Sequence, residues 1–272
     1  MEFANRVSAL TGAASGIGRA LAVELARRGS DLAIADLDAE GLEATSERVR
    51  ALGRRVESWT LDVSDREAME AFAAQTVERF GRVDAIVNNA GVTVAQRFVE
   101  MSHEDLEWIV GVNFWGVVHG TKAFLPYLLE RREGWVVNLS SILGMVGAPT
   151  QSAYCATKFA VRGLSESLHH ELEGTGVHLV SVHPGGVKTN IARRARFFVD
   201  LQGGDDHESF ARNFDALART SPEQAARRIV RGMIRKERRV LVGPDAHLLD
   251  ALQRILPIRH AHLFARTFGR RI

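Results

Sequence analysis

The sequence has little that forms covalent or metal cross-links. Cys155 is the only cysteine among the 272 residues, so no disulfide can form within the chain. The ten histidines are scattered, and none lies in an HExxH pattern or in a His/Cys cluster with the spacing of a zinc site. The sequence therefore predicts no metal site. A lone cysteine is typical of a reducing compartment, which favours a cytoplasmic location.

Long apolar runs and flexible linkers are also absent. No apolar segment reaches the roughly 18 residues that a transmembrane helix needs. Glu2 and Arg6 interrupt the first ten residues, which leaves no room for the hydrophobic region of a signal peptide. Only six prolines occur, and no Pro/Gly/Ser-rich tract divides the chain. With 46% hydrophobic and 25% charged residues, we expect one soluble globular core.

Charge is balanced overall but uneven along the chain. The formal net charge is +2, whereas residues 235–272 hold nine Arg or Lys against three Asp or Glu. Apolar residues recur beside these charges at helical spacing, at Leu248, Leu249, Leu252, Ile255 and Leu256. Such a stripe usually packs on the core or on another subunit, and docking of Phe264 and Phe268 at a membrane surface is the alternative. The tail lacks the aromatic platform and charge density of a nucleic-acid site, so no nucleic acid is expected.

Short apolar runs alternate with helical patterns along most of the chain. Residues 7–10 predict a strand, residues 16–28 a helix, and residues 31–35 a second strand. Further strand-like runs, each separated by enough residues for a helix, occur at residues 56–61, 83–87, 135–139, 177–182 and 239–242. Continuous rather than alternating apolar runs are typical of strands buried on both faces. The pattern predicts an α/β fold with a parallel sheet and flanking helices.

A glycine-rich turn joins the first predicted strand to the first predicted helix. It runs from Thr11 as TGAASGIG, with GxxxGxG spacing. Backbone amides at the start of such a helix bind the pyrophosphate of a dinucleotide, and glycine lets the phosphates approach the backbone. A tight packing turn is the alternative for this spacing taken alone. The candidate cofactor-binding residues are Gly12, Ser15, Gly16, Ile17 and Gly18.

An acidic residue after the second predicted strand supports the dinucleotide interpretation. Asp36 lies 20 residues after Gly16, where a carboxylate accepts hydrogen bonds from the adenosine ribose. That carboxylate would repel a 2′-phosphate, and Ser15 brings no positive charge to neutralise one, so NAD is predicted in preference to NADP. Capping of the next helix is the alternative for Asp36, with Asp38 as the rival candidate.

Asp62 and Val63 follow the third predicted strand. Because the carboxyl ends of parallel strands meet at one edge of the sheet, these residues are placed to face the adenine. Capping of the helix that begins near Asp65 is an equal alternative for Asp62.

Tyr154 and Lys158 lie four residues apart in a helical pattern over residues 152–172, which places their side chains on one face. A phenol with a pKa near ~10 is a poor base at neutral pH. An adjacent ammonium favours the phenolate, so we expect Lys158 to activate Tyr154. Ser141 follows an apolar strand at the edge where ligands of such sheets bind, and its hydroxyl is placed to hold a substrate oxygen. Ser140 is the competing candidate.

Together these motifs resemble the short-chain dehydrogenase/reductase family. The matching residues are TGAASGIG at 11–18, NNAG at 88–91, Ser141, YCATK at 154–158 and Pro184-Gly185, within about residues 5–190. The resemblance implies a Rossmann-type, doubly wound subunit that uses Ser141, Tyr154 and Lys158 for catalysis, and it selects Ser141 over Ser140. It also implies Asn113 as the fourth catalytic residue.

The same resemblance implies further contacts to the cofactor. Lys158 would also bind the nicotinamide ribose, and Asn113 would hold a water between Lys158 and solvent. A helix-interior amide bonded to backbone is the alternative for Asn113. The residues implied to line the cofactor cleft or to meet the carboxamide are Asn89, Ala90, Gly91, Pro184, Gly185, Val187 and Thr189. A homodimer or homotetramer is also implied.

The predicted activity is hydride transfer between a secondary alcohol or ketone and NAD, on a fairly apolar small molecule. Tyr154 takes the hydroxyl proton in oxidation and returns it in reduction, while Ser141 orients the oxygen. A catalytically silent dinucleotide-binding or scaffold protein with the same fold is the alternative. The intact set of Ser141, Tyr154 and Lys158 favours the enzyme.

The predicted organisation is one domain with a C-terminal extension. Residues 1–243 form the NAD-binding catalytic domain, and residues 244–272 a helical, basic extension. Within the domain the alternation of strands and helices lapses at about residues 190–221, which we interpret as a mobile substrate lid. Its phenylalanines either line an apolar pocket or anchor the lid, at Phe197, Phe198, Phe210 and Phe214.

Overall fold

The computed structural model of the chain describes residues 2–200 and 203–259. Its strands are β1 (Val7–Thr11), β2 (Asp31–Asp36), β3 (Val56–Thr60), β4 (Ala85–Asn88), β5 (Val94–Ala95), β6 (Gly134–Leu139), β7 (Val177–Pro184), β8 (Arg196–Phe197) and β9 (Arg239–Val242). Its helices are α1 (Gly16–Arg27), α2 (Ala39–Arg50), α3 (Arg66–Phe80), α4 (His103–Val110), α5 (Gly116–Arg131), α6 (Ser152–Glu171), α7 (His207–Leu217), α8 (Pro222–Ile234) and α9 (Pro244–Ile255). The elements thus alternate, as the apolar pattern predicts.

Seven strands form one sheet in the order β3-β2-β1-β4-β6-β7-β9, and every pairing in it is parallel. From the central strand β1, the chain adds β2 and β3 on one side. It then crosses back to place β4 on the other side of β1, and adds β6, β7 and β9 beyond it. The strand order therefore reverses between β1 and β4, whose carboxyl ends border a crevice where ligands of such sheets bind. This is the Rossmann-type, doubly wound fold that the sequence predicts.

Two apolar cores lie on opposite faces of the sheet. Leu25 of α1 and Ile229 of α8 belong to one core, and Phe72 of α3 and Phe124 of α5 belong to the other. The two phenylalanine rings meet edge to face with centroids 5.3 Å apart. All four side chains are fully buried, and each such burial stabilises the fold by roughly 1.5–3 kcal/mol. Both faces are therefore covered, and the loops at the carboxyl edge are left to form the site.

The segment at residues 190–221 contains two elements that the sequence pattern does not predict. β8 pairs with β5 in a separate two-stranded parallel sheet, and α7 begins after the cap Asp206. Phe197 stacks on His207 with centroids 4.9 Å apart and contacts Phe210 at 5.0 Å. Of the two interpretations, anchoring fits Phe197 and Phe210, whereas Phe198 is 48% exposed.

Helix α9 confirms the helical start of the C-terminal extension. Its apolar stripe is divided between the core and the surface. Ala246 is buried, and Leu249 packs with it against Ile142 in a small apolar cluster. Leu248 and Ile255 are exposed. Of the stripe, Leu249 is thus partly buried against the core, which is one of the two expected uses.

The rest of the basic tail is only partly described. Phe264 and Phe268, on which the membrane-docking alternative depends, lie outside the described residues. Within residues 2–200 and 203–259, no helix is both long and apolar enough to cross a membrane. The same residues include no group of three or more His, Cys, Asp or Glu side chains placed to hold a metal ion.

Candidate active site

The glycine turn connects β1 to α1 beside the end of β4. Gly12 and Gly16 have φ values of 68° and 52°, in the left-handed region that favours glycine. A Cβ on Gly12 would lie only 2.7 Å from the Asn89 side chain and 2.8 Å from the Ala90 backbone. The Ser15 side chain does not cap α1, although side chains cap α2, α3, α4, α7 and α8. The first amides of α1 are therefore available to an anion, which fits a pyrophosphate.

Hydrogen bonds fix this turn against β4. Ile17 and Gly18 lie in the first turn of α1, and a Cβ on Gly18 would collide with the carbonyl oxygen of Gly12. Asn89 Nδ2 donates to the carbonyl oxygens of Thr11 and Gly12, both at 3.0 Å. Thr11 Oγ1 in return accepts the Asn89 N–H at 3.1 Å. The turn and the strand end are thus held together as one surface.

Asp36 lies at the end of β2 against the glycine turn. Its Oδ2 accepts the Ala14 N–H at 2.9 Å, and its Oδ1 accepts the Asp38 N–H at 3.1 Å. Asp38 caps α2 by accepting the Gly41 N–H at 2.9 Å. That backbone bond, followed by a bond from Arg194, holds the pKa of Asp38 below its usual range. The capping alternative therefore belongs to Asp38, and Asp36 stays at the turn.

Asp62 and Val63 follow β3 at the same edge of the sheet. Asp62 Oδ1 accepts the Ser64 N–H at 2.8 Å, which opens a turn before α3. Asp65 caps α3 by accepting the Ala68 N–H at 3.1 Å. Capping of α3 is thus wrong for Asp62, whose carboxylate stays at the sheet edge with Val63.

Tyr154, Ser141 and Lys158 converge where β6 ends and α6 begins. The Tyr154 and Ser141 hydroxyls are hydrogen-bonded, and Lys158 Nζ lies 5.7 Å from the centroid of the Tyr154 ring. Lys158 is 4% exposed and donates to the Leu139 carbonyl oxygen at 3.0 Å. Ser140 Oγ instead donates to the Lys158 carbonyl oxygen at 2.8 Å, which ties β6 to α6. Of the two serines, only Ser141 presents its hydroxyl to Tyr154.

Burial controls the pKa of both titratable groups. Burial raises the pKa of Tyr154 to about 12, and the hydrogen bond from Ser141 offsets this only in part. Burial also lowers the pKa of Lys158 to about 8. The pKa of Tyr154 is therefore raised in the chain's own environment, opposite to the expected lowering, because loss of hydration is the largest contribution. Tyr154 holds its proton at neutral pH, which suits a proton donor.

Asn113 lies in a π-helical turn, Gly111–Trp115, between α4 and α5. Such turns occur frequently at functional positions. Its side-chain amide is fully buried and makes two hydrogen bonds to the Val92 backbone. Nδ2 donates to the Val92 carbonyl oxygen at 2.9 Å, and Oδ1 accepts the Val92 N–H at 2.8 Å. Nδ2 also donates to Thr157 Oγ1 at 3.2 Å. The amide therefore makes the backbone bonds of the alternative interpretation.

Gly91 lies close to the polar side-chain atoms of both Asn113 and Lys158. A Cβ built on Gly91 would lie 3.3 Å from Asn113 Oδ1 and 3.4 Å from Lys158 Nζ. These distances are tighter than most Cβ contacts, so a side chain at this position would press on both polar groups. The NNAG segment thus brings the expected residues Ala90 and Gly91 to the same crevice as Lys158.

The loop after β7 approaches the glycine turn. Pro184 ends β7, and Gly185 follows it. Val187 is buried at 3% exposure. The Thr189 side chain faces the turn, because a Cβ on Gly16 would lie 3.1 Å from Thr189 Cγ2. The structure therefore brings these residues to the edge that holds the other candidate cofactor residues.

His183 is a site residue that sequence reasoning missed. Its Nδ1 lies 3.3 Å from the carbonyl oxygen of Ser141, and its Nε2 lies 3.0 Å from Ser181 Oγ. The ring is buried, and burial lowers its pKa to about 4, so it is neutral at physiological pH. Its bond supports the backbone that presents Ser141. A single histidine in an apolar strand carries no sequence pattern that distinguishes it from a core residue.

The fold defines the class of this protein as one with a Rossmann-type nucleotide-binding fold, in which Ser141, Tyr154 and Lys158 lie together at the carboxyl edge of the sheet. The family model of the short chain dehydrogenases matches residues 6–198, and the chain belongs to that family. The Mycobacterium tuberculosis protein SadH, whose name describes it as an oxidoreductase, is 44% identical over 267 residues. That match covers 97% of this chain and 95% of SadH.

Solved structures of similar proteins cover nearly the whole chain. A short-chain dehydrogenase/reductase from Burkholderia phymatum, solved with NAD, is 29% identical with a TM-score of 0.85. The match covers 98% of this chain and 96% of that one. An alcohol dehydrogenase from Thermococcus sibiricus, solved with 5-hydroxy-NADP, is 30% identical with a TM-score of 0.73, covering 87% and 95%.

Proposed function

We propose that this protein interconverts a secondary alcohol and a ketone on a fairly apolar small molecule, with NAD as the hydride carrier. The observation that carries the proposal is the convergence of Ser141, Tyr154 and Lys158 beside the glycine turn. A tyrosine that holds its proton, bonded to a serine hydroxyl, is suited to proton exchange with an alcohol or carbonyl oxygen. The similarity to the Thermococcus sibiricus alcohol dehydrogenase supports the same reaction class.

The proposed mechanism assigns one task to each side chain. In reduction, Tyr154 donates its proton to the carbonyl oxygen, which the Ser141 hydroxyl holds by a hydrogen bond. The Lys158 ammonium stabilises the tyrosinate that remains, and in oxidation Tyr154 takes the proton back. Bound nicotinamide supplies the hydride in reduction and accepts it in oxidation. Asn113 acts as a positioning residue through the Val92 backbone.

The adenosine-ribose corner supports NAD over NADP. The Asp36 carboxylate would repel a 2′-phosphate. Two arginines near this corner already have partners. Arg194 pairs with Asp38 at 3.0 Å, and Arg19 donates to the Ala14 carbonyl oxygen. Binding a 2′-phosphate would therefore require these contacts to break, whereas a 2′-hydroxyl would donate to Asp36 without that cost.

Apolar residues on both sides of the catalytic group support an apolar substrate. Met145 and Val146 are buried in a cluster just after Ser141. The Tyr154 ring packs against a second cluster that contains Val94 and other apolar side chains. A substrate whose carbonyl oxygen meets Tyr154 would place its carbon skeleton beside these clusters.

The proposal extends to a cytoplasmic homodimer or homotetramer. The family resemblance implies this assembly, and Trp115 and Phe159, which are 49% and 42% exposed, are candidate contact residues. A mass in solution equal to the 30.0 kDa chain would contradict this part of the proposal. Membrane docking of the tail is not included, because Phe264 and Phe268, on which it depends, lie outside the described residues.

A substrate screen tests the proposed function. Purified protein is mixed with a panel of apolar secondary alcohols or ketones, with NAD(H) and NADP(H) in parallel, and cofactor absorbance is followed. We expect turnover with at least one pair and faster turnover with NAD(H). Tight NADH binding without turnover on any alcohol or ketone would favour the silent dinucleotide-binding alternative.

A further inference from the structure

A single carboxylate ties the loop after β7 to the C-terminal helix α9. The Gly186 N–H donates to Asp245 Oδ2 at 2.6 Å, across 59 residues of sequence. Asp245 lies in the first turn of α9, where the positive end of the helix dipole favours a negative charge. Hydrogen bonds to charged groups are stronger than those between neutral groups. This bond therefore adds a charge-assisted anchor to a loop whose backbone is also bonded to Val242 and Thr220.

Glycines make this close approach possible. A Cβ on Gly185 would collide with the Asp245 carboxylate, and a Cβ on Gly186 would lie 3.1 Å from the Ala218 Cα. Gly243, which precedes α9, has a φ of 95°, and a Cβ there would lie 2.6 Å from Asp245 Oδ1. The loop and the helix thus meet at a distance that side chains at these positions would prevent.

Asp245 is held in place although one of its oxygens lacks a partner. Oδ1 is buried and accepts no hydrogen bond from any described residue. An unpaired buried acceptor costs free energy. The cost is offset by the bond to Gly186 and by the helix dipole, which indicates that the carboxylate is positioned for the loop rather than for solvent.

The same helix also supports the segment that follows the catalytic serine. Ala246, next to Asp245, is fully buried and packs with Leu249 against Ile142 and Met145. Ile142 directly follows Ser141, whose side chain caps the short helical turn Ile142–Gly144. One helix therefore contacts both the Ser141 turn and the loop that leads to Val187.

We propose that Asp245 is a positioning residue of the active site. By holding Gly186, it helps to fix the backbone of residues 185–189, which include the two residues, Val187 and Thr189, that the family resemblance implies to meet the carboxamide of the cofactor. α9 then works as a clamp: it contacts both this loop and the Ser141 turn and keeps the two in a fixed position relative to each other. The cofactor contact rests on the proposed function, whereas the clamp rests on the contacts of α9 alone.

Hydrogen exchange of the loop tests the clamp without turnover. Amide exchange of the peptide spanning residues 184–189 is measured by mass spectrometry in the wild type, Asp245→Ala and Asp245→Asn. Asp250→Ala is the matched control, since Asp250 also lies on α9 but pairs with Arg239 and Arg254 instead of the loop. Thermal unfolding confirms that each variant is folded, and fluorescence titration gives each Kd for NADH.

The proposal makes distinct predictions for the three variants. Asp245→Ala should speed exchange of the loop peptide by about tenfold and raise the NADH Kd by a similar factor. Asp245→Asn should keep most of the protection, because its amide oxygen still accepts the Gly186 N–H. Asp250→Ala should leave both quantities unchanged.

Unchanged exchange in Asp245→Ala, or equal acceleration in Asp250→Ala, would overturn the clamp. Failure of the wild type to bind NADH would instead count against the proposed function, and the exchange comparison would still decide the clamp.

Discussion

Lys158 is the residue at which the proposed catalytic role and the stability of the fold conflict. A lysine with 4% exposure gives up most of its hydration, and the structure offers its ammonium the Leu139 carbonyl at 3.0 Å in return. Burial lowers its pKa from 10.5 to about 8. The folded chain therefore holds this proton less tightly than the unfolded chain does. A buried cation that weakens the fold is typical of a functional site.

This conflict predicts a specific pH dependence of stability. Between about pH 8 and 10.5 the unfolded lysine keeps a proton that the folded lysine has lost, so stability rises with pH in this window. Relative to Lys158→Met, the wild type should gain about 3 kcal/mol of unfolding free energy across it. Urea unfolding at both ends of the window measures the gain. The exposed Lys188→Met is the control, and an identical pH dependence in the two variants would refute the prediction.

Asp36 predicts a change in cofactor preference. Asp36→Asn removes the charge that would repel a 2′-phosphate while keeping a side chain of the same shape. We expect the kcat/KM ratio of NADP to NAD to rise at least about tenfold, because a nearby unit charge contributes several kcal/mol at a partly buried site. Asp65→Asn, at the cap of α3, is the control. An unchanged kcat/KM ratio of NADP to NAD in Asp36→Asn would show that Asp36 does not determine the cofactor preference.

The sequence predicts site residues where chemistry and local spacing coincide. The Tyr154–Lys158 pair and the glycine turn are visible because each lies within a few adjacent residues. Asp245 and His183 are not visible, since their roles arise from tertiary contacts to Gly186 and Ser141. The pKa of Tyr154 was predicted in the wrong direction because burial, which sequence spacing does not report, dominates it.

At the scale of elements, Arg196 joins the segment at residues 190–221, the proposed lid, to α4. Arg196 of β8 pairs with Asp105 of α4 at 2.7 Å, and its guanidinium lies 3.9 Å from the centroid of the Trp108 ring. The pair holds the pKa of Asp105 below its usual range, chiefly through the hydrogen bond from Arg196. A second contact, Arg194 with Asp38, joins the proposed lid to the N-cap of α2.

The Arg196 contact predicts an effect on substrate binding. Arg196→Gln should raise the substrate KM about threefold to tenfold, because it removes an ion pair and a cation–π contact of modest strength. The NADH Kd should stay unchanged. Arg193→Gln is the control, since Arg193 pairs with Asp215 inside the lid and leaves α4 untouched. The same KM in wild type and Arg196→Gln, or the same increase in both variants, would contradict this role.

Long elements of the fold were predictable and short ones were not. The main strands show as apolar runs because both faces of the sheet are covered. β5 and β8 have two residues each, which is too short for any periodic pattern. α7 is amphipathic but was missed, because the Gly203-Gly204 pair and the two aspartates that precede it are typical of a loop. The lid therefore looked irregular in sequence although it contains regular structure.

At the scale of the whole molecule, the sheet order explains why distant residues converge. Asp36 ends β2, Ser141 follows β6 and Pro184 ends β7, so all three lie at the carboxyl edge of one parallel sheet. The basic C-terminal extension adds α9 to this edge through Asp245. The site is thus assembled from nearly the whole length of the chain, which fits the family match and the 97% coverage by SadH.

The most direct test of the central claim is the turnover of Tyr154→Phe, measured with the best substrate from the screen under saturating NADH. The variant should lose at least about a hundredfold in kcat, since it keeps the ring and loses only the proton donor. Its NADH Kd and thermal unfolding should match the wild type. Tyr127→Phe, which alters the only other tyrosine, should retain full activity. A Tyr154→Phe variant with wild-type turnover would contradict the account.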